Sequence, residues 1–289
     1  MYPASFGYYA ARSVDEAVAL LERHGDEAKL LAGGMSLIPA MKLRLAQPVA
    51  LIDLGPIAAL RGVRQDGDTL VIGALTLHAD VAASDLVRER LPGLAEAAER
   101  IGDVQVRNRG TIGGSVAHAD PKADLPVILV ALDTAVVVQG PGGARTVPIE
   151  AFFVDYYTTA LEPNEVLTEV RVPLPGPGTG TAYAKLGHPA SGYVVVSAGV
   201  KLTLDAADAC TAARVAIGGV SSVPLRATAT EAALVGQPLS PEVIAAAAAH
   251  AAADADPQDD PYASAEYQRH VAGVYARRAI EAAAARARR

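Results

Sequence analysis

Two glycine-paired segments carry the residues best suited to chemistry: Ala32-Gly33-Gly34-Met35-Ser36 and Thr111-Ile112-Gly113-Gly114-Ser115. Paired glycines let backbone N–H groups approach a ligand with no Cβ in the way and permit positive φ, the geometry that wraps a phosphate or pyrophosphate. Each segment ends on a serine, whose hydroxyl could donate to a phosphate oxygen. Two unrelated turns are the competing reading, since glycine pairs are common turn punctuation. Arg107 and Arg109 precede the second pair and could face phosphate, although loop arginines are more often solvated. Neither segment is a dinucleotide Gly-x-Gly-x-x-Gly or a P-loop, which needs Lys-Ser or Lys-Thr after its last glycine.

A phosphate cradle needs a strand to deliver it and a helix to receive it. Residues 13–24 predict an amphipathic helix, with Ser13 as its cap and Glu16 completing a capping box. Residues 28–32 then read as a short buried strand entering the first glycine pair, and 37–45 as a helix that tolerates Pro39 in its first turn. Strand, glycine turn and helix make an anion site. Strands are predicted at 49–54 and 69–73 and helices at 80–87 and 91–101, and the apolar run 127–132 with the β-rich 134–138 continues the domain. Three prolines and three glycines between Pro173 and Gly180 mark a domain boundary, dividing the chain into 1–175 and 181–289. Beyond it, strands at 181–186, 193–204 and 213–217 precede Ala-rich helices at 241–253 and from 264 onward. Strands followed by helices indicate α+β. Gly218-Gly219, a third pair, reads as a structural turn.

Composition narrows the function. With 289 residues and 51% hydrophobic content the chain can bury a sizeable core. A formal charge of −7 argues against binding nucleic acid. Trp is absent, so stacking on a planar ligand falls to Tyr. Cys210 is the single cysteine, so the chain has no internal disulfide and no cluster to hold zinc or iron–sulfur. The N-terminal residues lack a signal-peptide pattern and no apolar run is long enough to span a bilayer, so a cytoplasmic location is expected.

The first segment extended to Leu37-Ile38-Pro39, the second segment, and His118-Ala119-Asp120-Pro121-Lys122-Ala123-Asp124-Leu125-Pro126 together resemble the FAD-binding medium subunit of molybdenum hydroxylases. These are the enzymes of the carbon monoxide dehydrogenase and xanthine dehydrogenase type. The likeness continues through Gly218-Gly219-Val220-Ser221-Ser222-Val223-Pro224-Leu225-Arg226-Ala227 and Tyr267-Gln268-Arg269-His270 to Arg278. It implies an α+β fold, with a two-lobed FAD-binding domain (PCMH, vanillyl-alcohol-oxidase-like) followed by a smaller α+β domain, and FAD extended between them. By this resemblance Ala32, Gly33, Gly34, Met35 and Ser36, with Thr111, Ile112, Gly113, Gly114 and Ser115, hold the pyrophosphate. Asp124 accepts from ribityl or ribose hydroxyls, Lys185 lies near a flavin carbonyl, and Tyr193 stacks on the isoalloxazine or borders it. From the residues alone, Lys185 reads as a strand-edge residue and Tyr193 as core packing. Met35 stands where relatives often carry Gln or His, and Ser115 where they often carry Asn; serine can still donate to phosphate, whereas methionine cannot. Neither glycine loop contains histidine, so the flavin is expected to be noncovalent, with His118 the only nearby candidate for attachment.

The resemblance also implies a division of labour. Hydroxylation takes place at a molybdenum cofactor in a large subunit, electrons pass through two 2Fe-2S clusters in a small subunit, and they leave through FAD in this chain to an external acceptor. The assembly is a heterotrimer, usually doubled, and the substrate is chosen in the large subunit. Flavin carries out its own electron transfer, so no acid–base catalytic residue is expected. Other readings are a metal-dependent hydrolase built on His118, Asp120 and Asp124, a non-catalytic assembly protein on the same fold, and a self-sufficient flavin oxidase.

Overall fold

A computed structural model describes residues 2–289; Met1, the first residue of the N-terminal stretch read above, lies outside them. The first lobe is built on three parallel strands, in spatial order Gly7–Ala10, Ala50–Asp53 and Ala28–Leu31. The Val14–His24 helix covers them with Ala17, Val18, Leu20 and Leu21. Its cap is as expected on one side: Ser13 Oγ accepts the Glu16 N–H at 3.1 Å. The Glu16 carboxylate, however, takes the N–H of Arg12 at 2.8 Å, one residue before the reciprocal partner of a capping box.

The second lobe is a five-stranded antiparallel sheet in the order Val63–Asp66, Thr69–Gly73, Val166–Pro173, Ala135–Gly140, Gly143–Pro148. Its helices include two pieces, His78–Ala83 and Asp85–Arg90, where one helix over 80–87 was predicted. The break falls at Ser84, whose extended backbone and side chain cap the second piece by accepting the Val87 N–H. A serine hydroxyl competes well for helix-start amides, and here that outweighs continuation. The apolar run beyond Asp124 is a helix, Asp124–Ala131, buried along its whole length. It has no polar face because it lies between the second lobe and the next domain.

The chain leaves the second lobe at Pro173 and enters a four-stranded antiparallel sheet at Thr179, ordered Thr179–Gly187, Val194–Leu204, Cys210–Gly218, Leu225–Arg226. The long Ala265–Ala287 helix, capped by Ser264, lies across the first two of these strands. The Ala-rich segment predicted over 241–253 is helical only to Ala248, after which i→i+3 bonds such as His250 N–H to Ala247 O tighten and end it. Cys210 is fully buried, its Sγ against Ala212 O.

Glycines bring the domains into backbone contact. A Cβ on Gly199 would lie 2.9 Å from Ile128 Cα, one on Gly218 2.3 Å from Val127 Cγ2, and one on Gly93 2.8 Å from Ala182 N. The buried helix of the second lobe can therefore press directly on the C-terminal sheet. Gly219, at φ 84°, donates its N–H to Pro121 O, so the third glycine pair is a structural turn at this seam. Glu96 spans the seam as well, accepting the Tyr183 N–H at 3.0 Å and pairing with Arg286.

Candidate cofactor-binding site

The fold sets the two glycine loops side by side. A Cβ on Gly33 would fall 2.0 Å from Arg109 O and 2.8 Å from Gly110 Cα, and one on Gly114 would approach Ala32 Cβ at 3.8 Å. Gly34 has φ 73°, which an L side chain rarely adopts. The loops differ sharply in what their backbones offer. Among the described residues, none accepts the N–H groups of Ala32, Gly33, Gly34, Met35 or Ser36; the first loop presents five consecutive uncommitted amides.

The second loop is different because it begins a helix, Ile112–His118, capped by Thr111. Ile112 donates to Thr76 O, Gly113 to Ala74 O, Gly114 to Thr111 Oγ1 and Ser115 to Thr111 O, at 2.9–3.1 Å. Gly113 also packs so closely that a Cβ would lie 2.5 Å from Ala74 Cβ. The expectation that both loops offer backbone donors is thus corrected for Ile112, Gly113, Gly114 and Ser115. The second loop's free donors are the Thr111 N–H and two hydroxyls, that of Ser115 and that of Thr111, whose oxygen accepts from Gly114. Arg107 is tied to Ile101 O, while Arg109 is exposed.

Asp124, Lys185 and Tyr193 gather beyond the far end of the Ile112–His118 helix. Lys185 Nζ lies 2.7 Å from Asp124 Oδ1, and that oxygen also accepts the Tyr183 hydroxyl at 2.9 Å. Burial pushes the Asp124 carboxyl above its ordinary range, with the Lys185 ammonium and the Tyr183 hydroxyl opposing this. Tyr193 is 47% exposed, which overturns core packing, and its hydroxyl donates to Asp120 Oδ2. Asp120 is buried, and its carboxyl is likewise raised by burial.

This arrangement does not support the hydrolase reading. Asp120 and Asp124 are turned to tyrosine and lysine partners, His118 leans on the Tyr157 ring at 5.1 Å, and no metal-binding group is present among the described residues. Sequence reasoning missed Tyr183 and Tyr157. Tyr157, at φ 52°, donates its N–H to Ala119 O, and Ala119 is itself left-handed at φ 50°. Such conformations are costly in non-glycine residues and collect at functional sites. No local sequence signal marks either residue.

Beneath the second loop lies His78, buried, with no partner for Nδ1 among the described residues and its N–H on Gly110 O. Burial lowers its pKa from 6.5 to about 4. Between those values the unfolded chain binds the proton and the folded one does not, so stability falls as pH drops, by up to about 3 kcal/mol at pH 4. Asp120 and Asp124, with raised pKa values, act in the opposite sense at the acid end of that window. His78→Gln should flatten the stability profile between pH 6.5 and 4 in urea unfolding. A slope equal to that of the unsubstituted chain would refute this.

The open amides and close-set glycines suit an anionic, phosphate-bearing ligand. The chain belongs to the family of FAD-binding medium subunits of molybdenum hydroxylases. Residues 4–175 match the "FAD binding domain in molybdopterin dehydrogenase" and residues 181–283 the "CO dehydrogenase flavoprotein C-terminal domain". The chain is 45% identical to the carbon monoxide dehydrogenase medium chain of Hydrogenophaga pseudoflava, over 99% of both chains. It is 39% identical to the 6-hydroxypseudooxynicotine dehydrogenase complex subunit alpha of Paenarthrobacter nicotinovorans, over 100% of this chain and 97% of that one. A solved structure of Hydrogenophaga pseudoflava carbon monoxide dehydrogenase lacking the Mo-pyranopterin moiety of its cofactor superposes with a TM-score of 0.95 at 47% identity, covering 99% of each chain. The chain is an oxidoreductase subunit with an α+β, PCMH-like FAD-binding domain followed by the flavoprotein C-terminal domain. No described helix is long and apolar enough to cross a membrane.

Proposed function

We propose that the chain binds FAD noncovalently and serves as the electron exit of a molybdenum hydroxylase complex. The carrying observation is the run of five uncommitted amides from Ala32 to Ser36, set against the second loop by the Gly33 contact. In this reading the first loop donates its backbone N–H groups to the pyrophosphate, and the side chain of Met35, which cannot donate, is immaterial because its amide does the work. Ile112, Gly113 and Gly114 form a rigid wall, and Thr111 and Ser115 add hydroxyl donors. In this reading Asp124 accepts from ribityl or ribose hydroxyls, and Tyr193 offers an aromatic face to the isoalloxazine, its hydroxyl held by Asp120.

When bound, FAD supplies a two-electron store between one-electron clusters and an external acceptor. The chain's own part is to bind, orient and enclose. The clusters and the molybdenum cofactor belong to an iron–sulfur small subunit and a molybdopterin large subunit, in a heterotrimer that pairs into a dimer. The domains divide at 1–175 and 181–289, and the complex works in the cytoplasm. Full-length likeness both to a relative named for carbon monoxide, at 45% identity, and to one named for 6-hydroxypseudooxynicotine, at 39%, agrees with substrate choice residing in another subunit.

Acid precipitation of the purified chain should release FAD, and no FMN, into the supernatant. A colourless protein that stays colourless with added FAD and with the partner subunits would overturn the proposal in favour of an assembly role. Flavin remaining in the pellet would overturn the noncovalent part.

A further inference from the structure

We propose that Asp133 is a positioning residue: with Lys201 and Arg214 it fixes where the buried Asp124–Ala131 helix stops along the C-terminal sheet, and so where Asp124, at the other end of that helix, stands in the cofactor site. The helix ends in a Schellman turn, with Asp133 N–H on Val130 O and Thr134 N–H on Leu129 O, both at 3.3 Å. Asp133 takes the left-handed position of that turn, at φ 58°, where glycine usually stands. Its carboxylate also lies at the carbonyl end of the helix, which repels negative charge. Both local rules disfavour aspartate here, so the reason for it lies outside the helix.

That reason is on the sheet. Lys201 and Arg214 are direct cross-strand partners, like charges that would repel each other if left alone. Asp133 answers both, with Oδ2 2.6 Å from Lys201 Nζ and Oδ1 paired with Arg214. Arg214 continues to Glu150, also in the second lobe, and Glu150 to Arg226 at 2.7 Å, so the signs alternate across the seam. Elsewhere under the helix the sheet offers Gly199, Ala216 and Gly218, a floor that sets how close the helix lies but has no ridge to stop it sliding. The far end of the helix carries the matching contact, Asp124 with Lys185. From Asp124 to Asp133 the helix rises about 13 Å. From Ser197, the cross-strand partner of Lys185, to Lys201 the strand also spans about 13 Å. One setting of the helix therefore satisfies both aspartates, and a slip of one turn, about 5 Å, satisfies neither.

The functional part of this inference rests on the reading of Asp124 as a FAD-binding residue; the anchoring of the helix is tested without FAD. Asparagine tolerates the left-handed turn and brings no charge to the helix end. If Asp133 did nothing but end the helix, Asp133→Asn would leave stability unchanged or raise it. The opposite is expected: in urea the unfolding equilibrium constant rises about fivefold, a modest figure because the Asp133 side chain is 37% exposed. Lys201→Met should then cost less in the Asp133→Asn chain than in the unsubstituted one. Unchanged or greater stability in Asp133→Asn, or simple additivity with Lys201→Met, overturns the anchor. FAD titration of the complex assembled with its partner subunits reads the positioning. Asp133→Asn should weaken FAD binding about threefold although it lies at the far end of the helix, and should have no further effect once Asp124→Asn is present. Equal weakening in both backgrounds, or none in either, overturns the positioning role. Should Asp124→Asn by itself leave FAD affinity unchanged, the placement of Asp124 in the cofactor site is what fails, and the unfolding cycle still judges the anchor.

Discussion

Gly33→Ala should reduce FAD retention about 100-fold, a loss near 3 kcal/mol and at the upper end of what overpacking costs. The added methyl would sit 2.0 Å from Arg109 O, and backbone cannot step aside as a flexible side chain can. The two loops must separate, and the run of open amides then no longer faces the hydroxyls of Thr111 and Ser115. Gly142→Ala serves as the control, since a Cβ there meets nothing within 4 Å. Equilibrium titration with FAD, together with a melting curve to establish folding, checks the result. Control-like affinity in Gly33→Ala would mean that close approach of the loops is not what makes the site. Gly114→Val is a poorer probe, because its side chain would first collide with Thr111 Oγ1, at 2.8 Å from the Cβ position, and damage the helix cap.

The second large effect is expected at Gly180→Val. A Cβ at this position would lie 1.9 Å from Ala283 O and 2.8 Å from Ala287 N, inside the contact between the Thr179–Gly187 strand and the C-terminal helix. The helix must lift from the sheet, taking Arg286 away from Glu96 and loosening the seam between the domains. A penalty of about 3 kcal/mol corresponds to a melting temperature lower by roughly 5–10 °C for a chain of this size. Calorimetry of the FAD-loaded protein reads it, and limited proteolysis should now cut the lifted helix. Unchanged melting would show that the helix can seat elsewhere.

Much of the site was legible because its chemistry resides in residue types that stand out in any sequence. The glycine pairs, the strand leading into the first of them and the Ser13 cap were all read from local pattern. The asymmetry between the loops was not, because the acceptors that occupy the second loop, Ala74 O and Thr76 O, come from a distant segment. Nor does Gly-Gly suggest a helix, since both residues disfavour one and the helix is held by its cap and by packing. The 124–131 run hid its helical form for a related reason: a helix buried on every side shows no period. Lys185 was placed correctly on a strand, but the carbonyls of Arg100 and Gly192 that its ammonium meets are announced by no side-chain pattern.

Cys210 has a consequence of its own. A reduced flavin open to dioxygen produces hydrogen peroxide, and peroxide attacks thiolates far faster than thiols. The only cysteine of this chain is buried within the C-terminal sheet, at the start of the Cys210–Gly218 strand, and burial pushes its thiol pKa up, so it stays protonated and out of reach. A subunit whose reduced flavin meets dioxygen thereby offers no thiol for its own by-product to oxidise.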